Sequence, residues 1–242
     1  MKKKIKNKTF ALVSLFSGGG FLDMGFMNQG FFILEALENN SHFIKAYNIG
    51  LENYVKNSPN SFFKNELVKH CKIEKPRDIS KKGEQIRLGK KFKYITGIIG
   101  GPPCQDFSIG GKNLGIKGDR GRLIKSYLKV VKRTKPDFIF FENVPGIYNT
   151  KTHRIVFDKF LNSIIKSGYV VWHDVLNPLY YGFPQDRERL VIVGFKKKIV
   201  KTLVKSGFRL KRDNERLTNT NGKHYVFKWP KTLFHNAKAI EW

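Results

Sequence analysis

The sequence predicts an α/β fold, doubly wound around a mostly parallel sheet. Two observations carry that expectation. Short runs that are apolar throughout, rather than alternating, mark strands covered on both faces. These runs alternate with segments of helical spacing, the pattern of strand–helix–strand units. Such a sheet binds its ligands outside the carboxyl ends of its strands.

The elements follow in order. "TFALVSLF" (Thr9–Phe16) reads as a buried strand. A glycine turn and a short helix from about Phe21 come next, then a second strand at "GFFILEAL" (Gly30–Leu37). Ser41–Asn48 has helical spacing, and a weak third strand is expected before Asp78. "KYITGIIG" (Lys93–Gly100), "DFIFFENV" (Asp137–Val144), "YVVWHDVL" (Tyr169–Leu176) and "RLVIVGF" (Arg189–Phe195) read as further strands. Arg122–Arg133 and His153–Ser167 are the helices between them. From Lys196 to Trp242 the chain is dense in Lys and Arg and loses its periodicity. The expected division is therefore a domain over 1–195 and a basic tail over 196–242.

The 242 residues, 40% of them apolar, suffice for a good-sized domain with its own core. The 46 Lys and Arg against 19 Asp and Glu give a formal net charge of +27. Unbalanced charge of that size opposes compaction and points to a nucleic-acid partner. A lysine-rich compositional bias is the other reading. Cys71 and Cys104 are too few for a disulfide framework, and no CxxC pair suggests a metal, so none is expected. No stretch approaches the roughly 20 apolar residues of a membrane span. The opening "MKKKIKNKTFALVSLFSGGG" ends in glycines rather than a cleavage site, so a cytoplasmic setting without membrane contact is expected.

Several residues are candidates for chemistry. Gly18, Gly19 and Gly20 let the chain turn tightly after the first strand, and the helix that follows offers amides to an anion. Glu38, closer to the strand end than Glu35, is placed to accept from both hydroxyls of a ribose. Asp78 suits an adenine amino group, or a turn. In "IIGGPPCQDFSIGGK" two prolines fix the loop that presents Cys104, with Gln105 and Ser108 as polar neighbours. Lys112, Lys117, Arg120 and Arg122 supply a cationic field that favours the thiolate. Glu142 ends an apolar strand, where a partly desolvated carboxyl can hold a proton for a ring nitrogen. Arg187 and Arg189 point the same way into the last strand, suited to a carbonyl or phosphate oxygen.

Taken together, F-S-G-G-G, E-N-N, P-P-C-Q-x-F-S, E-N-V and Q-x-R-x-R, in this order from about Phe10 to Phe195, resemble the cytosine-carbon-5 DNA methyltransferases. Phe21 stands where that family usually has another glycine. The resemblance implies a Rossmann-like S-adenosylmethionine-dependent fold. It also implies a restriction-modification setting in a bacterium or phage, with double-stranded DNA as partner and the target base flipped out of the helix. Cys104 would attack carbon 6 of the cytosine, Glu142 would contact ring nitrogen 3 and the exocyclic amine, and Arg187 would bind the ring carbonyl with Arg189 in support. Phe16, Ser17, Gly18, Gly19, Gly20, Glu38, Asn39, Asp78 and Pro102 would hold S-adenosyl-L-methionine. Pro103, Gln105, Ser108, Lys112, Arg120 and Asn143 would face the DNA.

The family's recognition region and its closing G-N-x-V-P stretch do not occur here; "FKWPKTLFHNAKAIEW" resembles the lead into that region. The expectation is one subunit of a split enzyme, needing a second subunit for target recognition, or a shortened enzyme. Two alternatives stay open: a tRNA cytosine methyltransferase of the same fold, and an inactive nucleic-acid-binding remnant.

Overall fold

A computed structural model describes residues 10–57, 71–103, 121–149, 151–205 and 229–231. Its strands are β1 (Ala11–Leu15), β2 (Phe32–Leu37), β3 (Gly97–Gly100), β4 (Phe138–Asn143), β5 (Tyr169–Leu176) and β6 (Arg189–Lys196). Its helices are α1 (Phe21–Asn28), α2 (Ser41–Asn57), α3 (Lys82–Lys91), α4 (Gly121–Thr134), α5 (Gly146–Asn149), α6 (Lys151–Lys166) and α7 (Lys197–Lys205). The six strands form a sheet in the order β2-β1-β3-β4-β6-β5. β1 lies parallel to both β2 and β3, whereas β5 and β6 run antiparallel. The expected α/β fold around a six-stranded sheet is thus present, parallel on both sides of β1 and antiparallel between β5 and β6.

Two compact units divide the chain: residues 1–103 with 121–140, and residues 104–120 with 141–242. In the first, β1 and β3 are buried almost throughout, as apolar runs covered on both faces must be. The strand order reverses at β1, because β2 leaves on one side and β3 returns on the other. A crevice opens at such a reversal, just beyond the end of β1. The core packs Leu12, Ile33, Tyr47, Leu51 and Ile99 together, flanked by the rings of Phe26, Phe31, Phe138 and Phe140. In the second unit, Phe141 packs against Phe160 at 4.8 Å between ring centres, and Phe157 sits edge-on to Tyr148 and His173.

Three secondary-structure expectations need correction. Among the described residues no strand leads into Asp78; residues 72–78 run irregularly, with Arg77 N donating to Glu38 O at 2.8 Å and the Asn48 side chain bonding both Ile73 N and Ile73 O. These separate bonds stand where a ladder was expected. The strand expected from Lys93 begins only at Gly97, because Tyr94 takes a left-handed conformation (φ 63°) that no ladder accommodates. The second helix runs to Asn57 rather than Asn48. The expected boundary at residue 195 falls within β6, and α7 follows it directly.

Candidate active site

The first unit gathers the expected cofactor residues at the carboxyl ends of β1 and β2. Phe16 (φ 57°), Gly18 (φ 54°) and Gly20 (φ 88°) are all left-handed, so the chain reverses within five residues. Gly20 caps α1 without a side-chain bond, and a Cβ there would lie 2.9 Å from the Tyr47 ring. Only glycine satisfies both the angle and the space. With no side chain over them, the first amides of α1 remain suited to an anion.

Glu38 is held from three sides. Its carboxylate accepts from Gly18 N at 2.9 Å and from Asn39 N and Asn40 N at 2.8 Å each. A carboxylate has about four acceptor positions, so capacity remains for a ligand hydroxyl. Ser17 N and Arg77 N donate to Leu37 O and Glu38 O. These bonds bring the glycine turn, Glu38 and the Asp78 segment to one place. Asn39 is exposed, Pro102 buried and Pro103 exposed. Asp78 itself accepts from Ser80 N at 2.8 Å, the turn reading of that residue. Glu35 is committed elsewhere, paired with Arg87 and with Lys91 at 2.7 Å.

Beneath the turn lies a polar network that sequence reasoning missed. Asp23, fully buried, accepts from Ser14 Oγ at 2.6 Å and from Tyr47 Oη at 2.9 Å. Ser17 Oγ lies 3.0 Å from Ser14 Oγ, so this hydroxyl turns inward rather than toward a ligand. Burial raises the Asp23 carboxyl to about 7 despite these bonds. The available signal was an acid on the inward, apolar face of a short helix, "FLDMGF".

The second unit holds Glu142, Arg187 and Arg189. Arg189 Nε lies 2.9 Å from Glu142 Oε1, both side chains partly covered. Desolvation lifts the Glu142 carboxyl above the usual range, while the charges of Arg189 and Arg187 oppose the rise. Desolvation, with Arg187 nearby, lowers Arg189, against the pull of Glu142. Arg187 is exposed, and its amide donates to Asn177 Oδ1 at 3.2 Å. Asn177, buried and also bonded to Leu179 N and Asp186, holds this segment; the sequence offered no sign of it. Asn143 is buried and accepts from Val144 N at 2.8 Å, shaping the turn after β4. Replacing Arg189 with alanine removes the nearest opposing charge, so the Glu142 pKa is expected to rise further. A carboxyl-carbon NMR titration checks this, and an unchanged or lower value contradicts it.

Of the two cysteines, Cys71 is excluded as a nucleophile. It is fully buried, donates to Ile33 O at 2.9 Å, and burial pushes its thiol up to about 12. Cys104, Gln105, Ser108, Lys112, Lys117 and Arg120 lie outside the described residues. Among the described residues no His, Cys, Asp and Glu cluster suits a metal, and no helix is long and apolar enough to cross a membrane.

Comparison with known proteins gives the family. Residues 10–238 match the family model of the C-5 cytosine-specific DNA methylases. Type II methyltransferase M.NmeDI of Neisseria meningitidis serogroup C is 38% identical over 201 residues, covering 83% of this chain and 47% of that protein. M.MthTI of Methanothermobacter thermautotrophicus is 37% identical, covering 76% and 48%. The chain therefore spans about half the length of these curated relatives. M.AquIA of Picosynechococcus, 31% identical, is covered over 71% of its length. Among solved structures, a DNA modification methyltransferase encoded within an E. coli prophage superposes with a TM-score of 0.58 at 27% identity, covering 79% of this chain and 48% of that one. A Spodoptera frugiperda DNMT2 variant shares the fold, with a TM-score of 0.59 at 20% identity over 90% and 57%. Since that family model matches residues 10–238, nearly the whole of the sequence, the chain belongs to the C-5 cytosine-specific DNA methylase family.

Proposed function

We propose that this chain carries the catalytic half of a DNA (cytosine-5)-methyltransferase of the type II restriction-modification kind. Target reading would come from the half of the relatives that this sequence does not match, on a further stretch of the same polypeptide or on a second one. The observation that carries the reading is Glu142, a desolvated carboxyl with raised proton affinity and two guanidiniums beside it.

The residues divide the work as follows. The thiolate of Cys104 bonds to carbon 6 of the cytosine. Glu142 gives its proton to ring nitrogen 3, so the C5–C6 pair displaced by sulfur forms a carbon-4–carbon-5 double bond while the C4–N3 pair settles on nitrogen 3, leaving an enamine whose carbon 5 is nucleophilic. Splitting the exchange through a covalent adduct replaces one high barrier by lower ones. S-adenosylmethionine, when bound, supplies the electrophilic methyl group that carbon 5 takes. Water then accepts the carbon-5 proton, the carbon–sulfur bond breaks, Cys104 leaves as thiolate, and nitrogen 3 returns its proton to Glu142. Arg187 holds the ring carbonyl oxygen, and Arg189 keeps Glu142 in place. In the cofactor pocket, the uncapped amides of α1 suit the methionine carboxylate and Glu38 suits the ribose hydroxyls. The room at Gly18, where a Cβ would meet nothing within 4 Å, leaves space for the ligand beside the backbone.

The test is a duplex bearing 5-fluorocytosine, incubated with S-adenosylmethionine and this chain, with and without the missing half supplied from a relative. Fluorine cannot leave as a proton does, so the adduct accumulates. A denaturation-resistant complex that forms with wild type and with Cys71→Ser, but not with Cys104→Ser, is expected. No adduct in either mixture overturns the proposal.

A further inference from the structure

We infer that the outer face of α4 is a docking surface for the phosphate backbone of duplex DNA, additional to the site that handles the base. It rests on the DNA reading above and names a surface that reading does not require. Every exposed residue described on α4 is cationic: Arg122, Lys125, Lys129, Lys132 and Arg133. At 3.6 residues per turn, the five fall within an arc of about 100°. Ile124, Tyr127, Val130 and Val131 turn the opposite face into the core. The helix contains no acidic residue.

Folding alone gives no reason for this arrangement. Like charges three and four residues apart on a helix repel by roughly 0.2–0.5 kcal/mol per pair. Arg122 also sits in the first turn, where the helix dipole disfavours a cation. A uniform lysine bias does not explain it either. The exposed face of α2 mixes Phe43, Lys45, Ile49, Glu52 and Lys56, and on α6 Arg154 pairs with Asp158 at 3.1 Å. The stripe is extended at its carboxyl end. Tyr94 N donates to Thr134 O, and Arg133 fills the space beside Gly89 of α3, which brings exposed Lys90 and Lys93 alongside. Of the described acids on and beside α3, Glu84 is engaged by Arg77 and Arg87, and Glu35 by Arg87 and Lys91.

The geometry suits a duplex. From Arg122 to Arg133 the helix rises about 17 Å. One DNA strand carries about five phosphates over that length. Five flexible cationic side chains on that span match a strand's charges without reading its sequence, so this surface holds DNA of any sequence.

The test compares Lys125→Gln/Lys129→Gln/Lys132→Gln with a control triple, Lys45→Gln/Lys56→Gln/Lys159→Gln, which removes the same charge elsewhere. Binding to a fluorescent duplex of arbitrary sequence is followed by anisotropy across a salt titration, beside the same measurement on a structured RNA. The α4 triple is expected to lower the slope of log affinity against log salt by about 2–3, at roughly 0.9 per lost phosphate contact. The control is expected to lower it far less, and both triples should melt as wild type does. Equal losses in the two triples, or none, overturn the inference and leave the DNA reading standing. A loss confined to RNA overturns DNA as the occupant. A wild type that binds no duplex overturns both.

Discussion

Alanine at position 100 is expected to destabilise the protein by roughly 3 kcal/mol or more, the upper range for overpacked interiors. Gly100 pairs with Leu15 across β1 and β3, and a Cβ built on it would lie 2.3 Å from Leu15 O. The obstacle is backbone in the middle of a sheet. β1 is already paired with β2 on its other side and has nowhere to retreat. For a domain of this size the melting temperature should fall by about 10 °C. Cys104 follows only four residues later, so its presentation should suffer with it. Gly83→Ala is the control. A Cβ there meets nothing within 4 Å, and alanine favours the helix over glycine by roughly 0.5–1 kcal/mol. An unchanged melting point for Gly100→Ala would contradict the β1–β3 geometry.

The second large effect is on pH dependence. The Asp23 carboxyl stands at about 7 in the folded protein against about 3.9 unfolded. The folded state therefore holds this proton more tightly. The resulting stabilisation is complete below about pH 4, declines as pH rises toward 7, and is gone above it. Between pH 5 and 7.5 wild type should lose roughly 3 kcal/mol through this group, at about 1.4 kcal/mol per unit. Asp23→Asn keeps the shape and removes the proton. The stability gap between variant and wild type, read from denaturant unfolding at both pH values, should shift by that amount. A gap independent of pH would show that Asp23 stays ionised throughout.

Much of this was legible beforehand because it depends on local spacing. Apolar-rich runs identified β1, β2, β4, β5 and β6; β1 is buried on both faces, as such a run requires, whereas β5 is largely half-buried and leaves Asp174 exposed. The glycine turn was legible because the left-handed angles at Gly18 and Gly20 suit few other residues. Glu38 and Glu142 were found as carboxylates at strand ends. The errors fell where a tertiary contact overrode local pattern. Lys93–Thr96 are rich enough for a strand, yet the bond from Tyr94 N to Thr134 O and the left-handed Tyr94 hold them in a turn. The segment before Asp78 is fixed by the bond to Glu38 O and by the Asn48 side chain on Ile73, contacts for which no sequence pattern exists.

The sequence by itself determined the fold class, the order of the motifs and the set of chemical groups, because periodicity and residue type are local properties. Only the tertiary structure decided which groups meet. It paired Arg189, rather than Arg187, with Glu142, and it committed Glu35 to a cationic cluster while leaving Glu38 at the turn. It buried Cys71 beyond reactivity and placed Asp23 under the glycine turn. Desolvation and proximity are properties of the packed chain: they depend on residues distant in sequence, and they set the proton affinities on which the chemistry rests.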